Sequence, residues 1–113
     1  MPIQNRQHSV KLFMAGDVMT GRGVDQVLPH PGDPAIFEHF SRSAQDYVQL
    51  AERASGPIPR QVDFTYIWGD ALELLDAGAP DVRIVNLETA VTRSGSRWPR
   101  KGIRYRMQPA NVP

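Results

Sequence analysis

The sequence has 113 residues, 13 Lys+Arg against 12 Asp+Glu, and no cysteine. That length suits one small domain at most, and the missing thiols exclude a disulfide scaffold, a thiolate metal site and a cysteine nucleophile. The formal net charge of +1 conceals a split: six bases and no acid lie from Arg93 to Arg106, leaving 7 bases against 12 acids elsewhere.

Eleven of the bases are Arg, a bias toward planar contacts with carboxylate or phosphate. No apolar run approaches the ~20 residues that span a bilayer. Residues 1–9 form a polar segment without the apolar region of a signal peptide, so a cytoplasmic location is expected.

Val10 to Val18 (VKLFMAGDV) reads as a strand with at least one buried face, ending at Gly16-Asp17. Val24, Val27 and Leu28 then fit a short helix, and Pro29 to Pro34 is turn-rich. Asp33-Pro34 resembles an N-cap followed by proline at the first helical position. From there to Ala54, Phe37, Phe40, Ala44, Tyr47, Val48 and Ala51 recur at steps of three and four, predicting an amphipathic helix of about five turns. Gly56-Pro57 ends it.

Residues 62–68 read as a loop or short edge segment. Asp70 to Ala77 is a second short helix with Gly78 as its C-cap. Asp81 to Val91 is the second buried strand, after which the chain is basic and turn-rich. Two buried strands joined through helices imply a parallel α/β unit. A parallel sheet covered on both faces needs more strands and helices than these, so the unit is expected to be incomplete.

Both strands end in polar residues at their carboxyl side, where open parallel sheets form sites. Asp17, Asn86 and Glu88 there offer hard oxygen donors, suited to Mg, Mn or Ca, with Zn or Fe if histidines join them. Equally, Asp17 serves as a turn or cap residue, and Asn86 and Glu88 as solvated strand-end groups. Gly16, Gly21 and Gly23 do not make a phosphate loop: the Gly-Lys-Ser/Thr ending and the Gly-x-Gly-x-x-Gly spacing are both missing. Arg22 is either an anion contact bridging to a metal held by Asp17 or a solvated residue at a helix start.

His8, His30 and His39 lack metal-ligand spacing and suit surface roles. Thr20 and Thr89 lack a paired base, which disfavours covalent catalysis. The segment SGSRWPRKGIRYRM mixes Arg and Lys with Trp98 and Tyr105, as single-strand nucleic-acid sites do. The acidic remainder of the chain makes nucleic acid an unfavoured partner, and a solvated loop or the wall of an anionic-substrate cleft the better reading.

LFMAGDVMTGRGVDQ at 12–26 and RIVNLETAVT at 83–92 resemble the first two motif blocks of the CapA family, the poly-gamma-glutamate capsule biosynthesis proteins. YIWGDALELL and WPRKGIRYRMQPANVP extend the likeness over about residues 10–113. The resemblance implies the N-terminal part of a four-layer, metallophosphatase-like α/β sandwich, incomplete in this chain. It makes Asp17 the first-strand metal ligand, sets Asn86 and Glu88 in the second block, and puts Arg22 beside them, with Lys101 and Arg104 as further holders of an anion. The implied cofactor is a divalent metal (Mn, Mg, Fe or Zn). The implied activity is metal-dependent hydrolysis in the full-length protein, with an anionic small molecule or polymer as substrate and this chain inactive by itself. The alternative is a non-catalytic binding or accessory protein for an anionic polymer.

Overall fold

The computed structural model describes residues 9–113, so the expectations for residues 1–8, His8 included, lie outside the described residues. The elements in chain order are β1 (Leu12–Val18), α1 (Arg22–Val27), α2 (Gln45–Ser55), a 3-10 turn (Tyr66–Trp68), α3 (Ala71–Gly78), β2 (Val82–Leu87), β3 (Ala90–Val91), β4 (Arg106–Met107) and a second 3-10 turn (Pro109–Asn111). The mixed α/β class and the parallel pairing agree with the sequence reading: β1 pairs parallel with β2, and β3 parallel with β4, as two separate two-stranded sheets.

The register of the first pair runs from Leu12 beside Val82 to Ala15 beside Val85, then jumps to Val18 beside Leu87. Three steps along β1 thus match two along β2. The extra residue is a bulge at Gly16-Asp17, a device that re-aims a side chain at a strand end. Lys11 locks the start of the pair, its backbone N–H donating to Asp81 Oδ2 at 2.7 Å and its Nζ to the Gly78 carbonyl at 2.7 Å.

The expectation of buried strands is corrected. Leu12 and Met14 on β1, and Val82, Ile84, Val85 and Leu87 on β2, are all exposed. Phe13, Ala15 and Val18 on β1 are half-buried. The core lies instead between α1, α2 and the 58–67 segment, where Val27, Leu28, Val48 and Val62 are buried and Val24, Ile58, Phe64 and Ile67 pack against them. The radius of gyration, 18.8 Å, exceeds the ~13 Å of a compact chain of this length, as expected when the sheet makes no core.

The five-turn helix is also corrected. Residues 34–44 form an irregular loop closed by Ala44 N–H to the Pro34 carbonyl (2.7 Å) and Ile36 N–H to the Arg42 carbonyl (3.0 Å). Asp33 Oδ1 accepts the Ala35 N–H at 3.0 Å, so this aspartate closes a local turn rather than capping a helix. Ser43 Oγ accepts the N–H of Gln45 at 3.2 Å, where the helix actually starts. Serines at 41 and 43 compete with the backbone for its own bonds, which favours helix starts over helix interiors. Phe37 and Phe40 had the helical spacing, but Phe37 lies against the Arg97 guanidinium and Phe40 is exposed.

Gly56 ends α2 at φ +88°, its N–H bonding the Glu52 carbonyl, a conformation that favours glycine. At α3 the left-handed position falls on Ala79 (φ +42°) and not on the expected Gly78. Gly21 has a different reason: a Cβ there would stand 2.7 Å from the Arg106 carbonyl oxygen. Only hydrogen allows α1 to start this close to β4.

Two acids set the direction of the expected pH dependence of stability. The Arg60 guanidinium, then the Ile58 N–H, hold the Glu52 carboxyl below its ordinary pKa; the Thr65 hydroxyl and N–H do the same for Asp63. A depressed folded pKa gives stability that is present above the unfolded value and lost as pH falls through the folded one. Stability should therefore decline as pH drops below about 4. In urea titrations over that range, Glu52→Gln should flatten the decline. An unchanged slope would show that the Arg60 contact contributes nothing.

Candidate functional site

Two separate groups of polar residues stand out. The first is at the carboxyl end of the β1/β2 pair. Asn86 Nδ2 donates to Asp17 Oδ1 at 2.7 Å, across the bulge, and both residues are exposed. Glu88 follows directly, its N–H bonding the Val18 carbonyl at 3.0 Å, with the side chain in solvent. The parallel register brings residues 69 apart into contact, as the strand-end argument required.

As a metal site, the donor chemistry fits a hard divalent cation: two carboxylates and an amide oxygen on one sheet edge. The count is partial, since among the described residues no three His, Cys, Asp or Glu side chains gather as a metal-binding group. His30 and His39 do not join. The His30 backbone is bonded to Asn111, and the His39 ring stands edge-on to Phe40 at 5.4 Å.

The threonines are held internally. Thr20 donates its hydroxyl to the Met107 sulfur at 2.9 Å and its N–H to Thr89 Oγ1 at 3.2 Å.

The second group lines a cleft of about 410 Å³ between α1, the 32–38 loop and the basic 92–108 segment. Arg22, Lys101 and Arg104 all line it; Asp17, Asn86 and Glu88 do not. The anion contacts expected from the sequence are thus brought together, but in a cleft distinct from the strand-end carboxylates.

Their states differ. Arg22 forms an ion pair with Glu38, whose side chain is only 4% exposed. Its guanidinium also sits over the rings of Tyr105 (4.5 Å) and Tyr47 (5.0 Å). Tyr47 donates its hydroxyl to the other oxygen of Glu38. Burial, and then this bond to Glu38, push the Tyr47 phenol above its ordinary pKa, so it remains a neutral donor at physiological pH. Arg22 holds this cluster from a left-handed backbone at φ +50°. It is therefore already neutralised by a carboxylate of the protein.

Arg104 donates to the Trp98 carbonyl, while its Nε is buried without an acceptor. Arg106 is spread over the Ser94, Asp33 and Ala35 carbonyls and the Asp33 carboxylate.

Beneath the cleft lies a residue that sequence reasoning missed. Asp25 is buried; its Oδ1 accepts the Gln108 N–H (2.8 Å) and Asn111 Nδ2 (2.8 Å), and its Oδ2 accepts the Gly32 N–H (2.9 Å). Asn111 in turn bonds both the N–H and the carbonyl of His30 at 2.9 Å. Asp25 thereby fastens the 106–111 segment to α1. Nothing in the local sequence signals this, because two of its three partners lie 83 and 86 residues further along.

The geometry is that of an α/β protein with polar groups at the ends of parallel strands and a basic cleft beside its helical core. The chain belongs to the bacterial capsule synthesis protein family, PGA_cap, whose model matches residues 11–113. It is 52% identical over 104 residues to two relatives from strains of Mycobacterium tuberculosis, each named "Probable polyglutamine synthesis accessory protein". The aligned region is 92% of this chain and 27% of each relative, so the chain spans about a quarter of their length. No solved structure matches it significantly. No helix among the described residues is long and apolar enough to cross a membrane.

Proposed function

We propose that residues 10–113 form the N-terminal part of a metallophosphatase-like, four-layer α/β domain that acts on an anionic substrate in capsule polymer synthesis or processing. The observation that carries this reading is the Asp17–Asn86 contact, which sets oxygen donors at the carboxyl ends of two parallel strands. Asp17 and Glu88 are the anionic ligands for a divalent ion, and the Asn86 amide orients the Asp17 carboxylate. A divalent metal bound there supplies Lewis acidity and lowers the pKa of a water.

The chain's own residues do the rest. Lys101 and Arg104 neutralise the substrate anion from the basic segment. Arg22 shapes the cleft through Glu38 and offers itself to an anion only in exchange for that carboxylate. The remaining ligands belong to the rest of the longer domain, so this chain alone is inactive.

In the full-length protein, Asp17→Ala and Glu88→Ala should each lower Mn²⁺-dependent phosphoesterase activity by at least about a hundredfold. Activity surviving both substitutions would overturn the metal assignment. The relatives' designation as accessory proteins supports a second reading, non-catalytic binding of an anionic polymer. Salt-sensitive polymer binding that persists in both variants, without phosphoesterase activity in the wild type, would select it.

A further inference from the structure

Trp98 lines the cleft beside Lys101 and Arg104, yet its side chain is 78% exposed. Its backbone is held in place. The Trp98 carbonyl accepts from the Arg104 guanidinium and is approached by the Lys101 N–H at 3.4 Å, and Pro99 follows it in the chain. The residue is thus tied to both cations while its indole meets solvent. A ring left in water forgoes the burial that an aromatic side chain ordinarily contributes.

The other aromatic rings of the cleft are taken. Tyr105 is covered by the Arg22 guanidinium at 4.5 Å and Phe37 by that of Arg97 at 4.3 Å. Among the described residues, no ring or guanidinium stacks on Trp98. The adjacent cations are open as well. Lys101 and Arg104 enter no ion pair among the described residues, and Arg104 Nε is buried without an acceptor. Buried donors are rarely left without a partner, so this one calls for an acceptor. One free aromatic face and two unneutralised cations therefore share a cleft of about 410 Å³, within the range of about 300–1,000 Å³ typical of small-molecule sites.

We infer that the anion filling this cleft is a nucleoside phosphate, its phosphate held by Lys101 and Arg104 and its base stacked on Trp98. The inference rests on the reading of the cleft as the place of the substrate anion, and it names what that anion carries. Trp98 is thereby a specificity-determining residue. A polycarboxylate chain satisfies the cations but brings no planar ring to the indole. A nucleic-acid strand uses a succession of stacking faces, and the cleft leaves one free. A single base joined to a phosphate uses both features, and stacking accepts any base because each has a π-face.

The test uses the full-length protein freed of metal with EDTA, so that binding is read apart from the reaction, and measures affinity by isothermal titration calorimetry. Adenosine 5′-monophosphate should bind at least about tenfold tighter than ribose 5-phosphate. Trp98→Leu should abolish that preference, with circular dichroism unchanged, while Trp98→Phe should retain part of it. Lys101→Gln should weaken both ligands by a similar factor.

Equal affinity for the two ligands at a site that still depends on Lys101, or a preference that survives Trp98→Leu, would overturn the inference and leave the anion cleft standing. Indifference of both ligands to Lys101→Gln would remove the anion cleft itself, and the inference with it. Tighter binding of a glutamate oligomer or of oligodeoxythymidine than of adenosine 5′-monophosphate would assign the cleft to a polymer and overturn the inference too.

Discussion

Arg22→Ala should destabilise the chain by about 3–5 kcal/mol, the cost of leaving one partner of a buried ion pair uncompensated. The side chains of the pair are 16% and 4% exposed for Arg22 and Glu38. Removing the guanidinium leaves the Glu38 carboxylate with the Tyr47 hydroxyl and takes the cation from between two aromatic rings. The left-handed backbone at Arg22 reinforces the argument, since a non-glycine residue stays there only when its surroundings over-determine it. Arg22→Met combined with Glu38→Gln should recover most of the loss, because it removes both charges and keeps an oxygen for Tyr47. Urea unfolding followed by circular dichroism would decide. A loss below about 1 kcal/mol for Arg22→Ala, the range of exposed pairs, would show that the cluster is not a structural unit.

The second large effect is expected at Asp25. Asp25→Ala removes the acceptor of three hydrogen bonds and strands the Gly32 and Gln108 N–H groups and the Asn111 amide in a buried place. Hydrogen bonds to a charged acceptor contribute ~1.5–3 kcal/mol each, and orphaned donors add a desolvation cost. The three share one carboxylate and are not additive, so a loss of about 4 kcal/mol is expected. The effect should also be local: exchange of the Gln108 amide should accelerate more than that of the α2 amides, because the 106–111 segment loses its tie to α1. Uniform acceleration across the chain would instead make Asp25 a contributor to global stability alone. Asp25→Asn should fall between, since its Nδ2 would face donors.

These two residues also show where sequence reading stops. The strand at Leu12–Val18, the short α1, the end of α2 at Gly56, α3 and the second strand as far as Leu87 are legible, but the expected continuation to Val91 breaks at Glu88-Thr89, and Ala90–Val91 pairs with β4 in the other sheet. Each depends on neighbours within a few positions: alternation, a glycine at positive φ, a short apolar stripe. The region 34–44 was misread because Phe37 and Phe40 keep a helical spacing while Ser41 and Ser43 bond the loop locally. Glu38 is then drawn out of any helix by Arg22, 16 positions earlier in the chain. Periodicity reports which residues share a face. It does not report that two of them will find partners elsewhere.

The site divides in the same way. Asp17, Asn86 and Glu88 stand out in the sequence as polar residues closing apolar strands, and the parallel register puts the first two in hydrogen-bond contact. The basic segment was visible as a charge run and does form the wall of a cleft. That this cleft excludes the strand-end carboxylates, and that Arg22 is consumed by Glu38, follow from contacts no local pattern encodes.

The sequence by itself determined the α/β class, the parallel order, the polar strand ends and the concentration of positive charge near residues 93–106. All of these follow from composition and short-range spacing. The tertiary structure alone decided that the core sits between α1, α2 and the 58–67 segment while the β2 side chains stay exposed, that Asp25 and Asn111 tie the 106–111 segment to α1, and which arginines among the described residues form ion pairs. Burial and pairing over 16 to 86 positions depend on which surfaces meet, a property of the folded arrangement that short-range spacing does not carry.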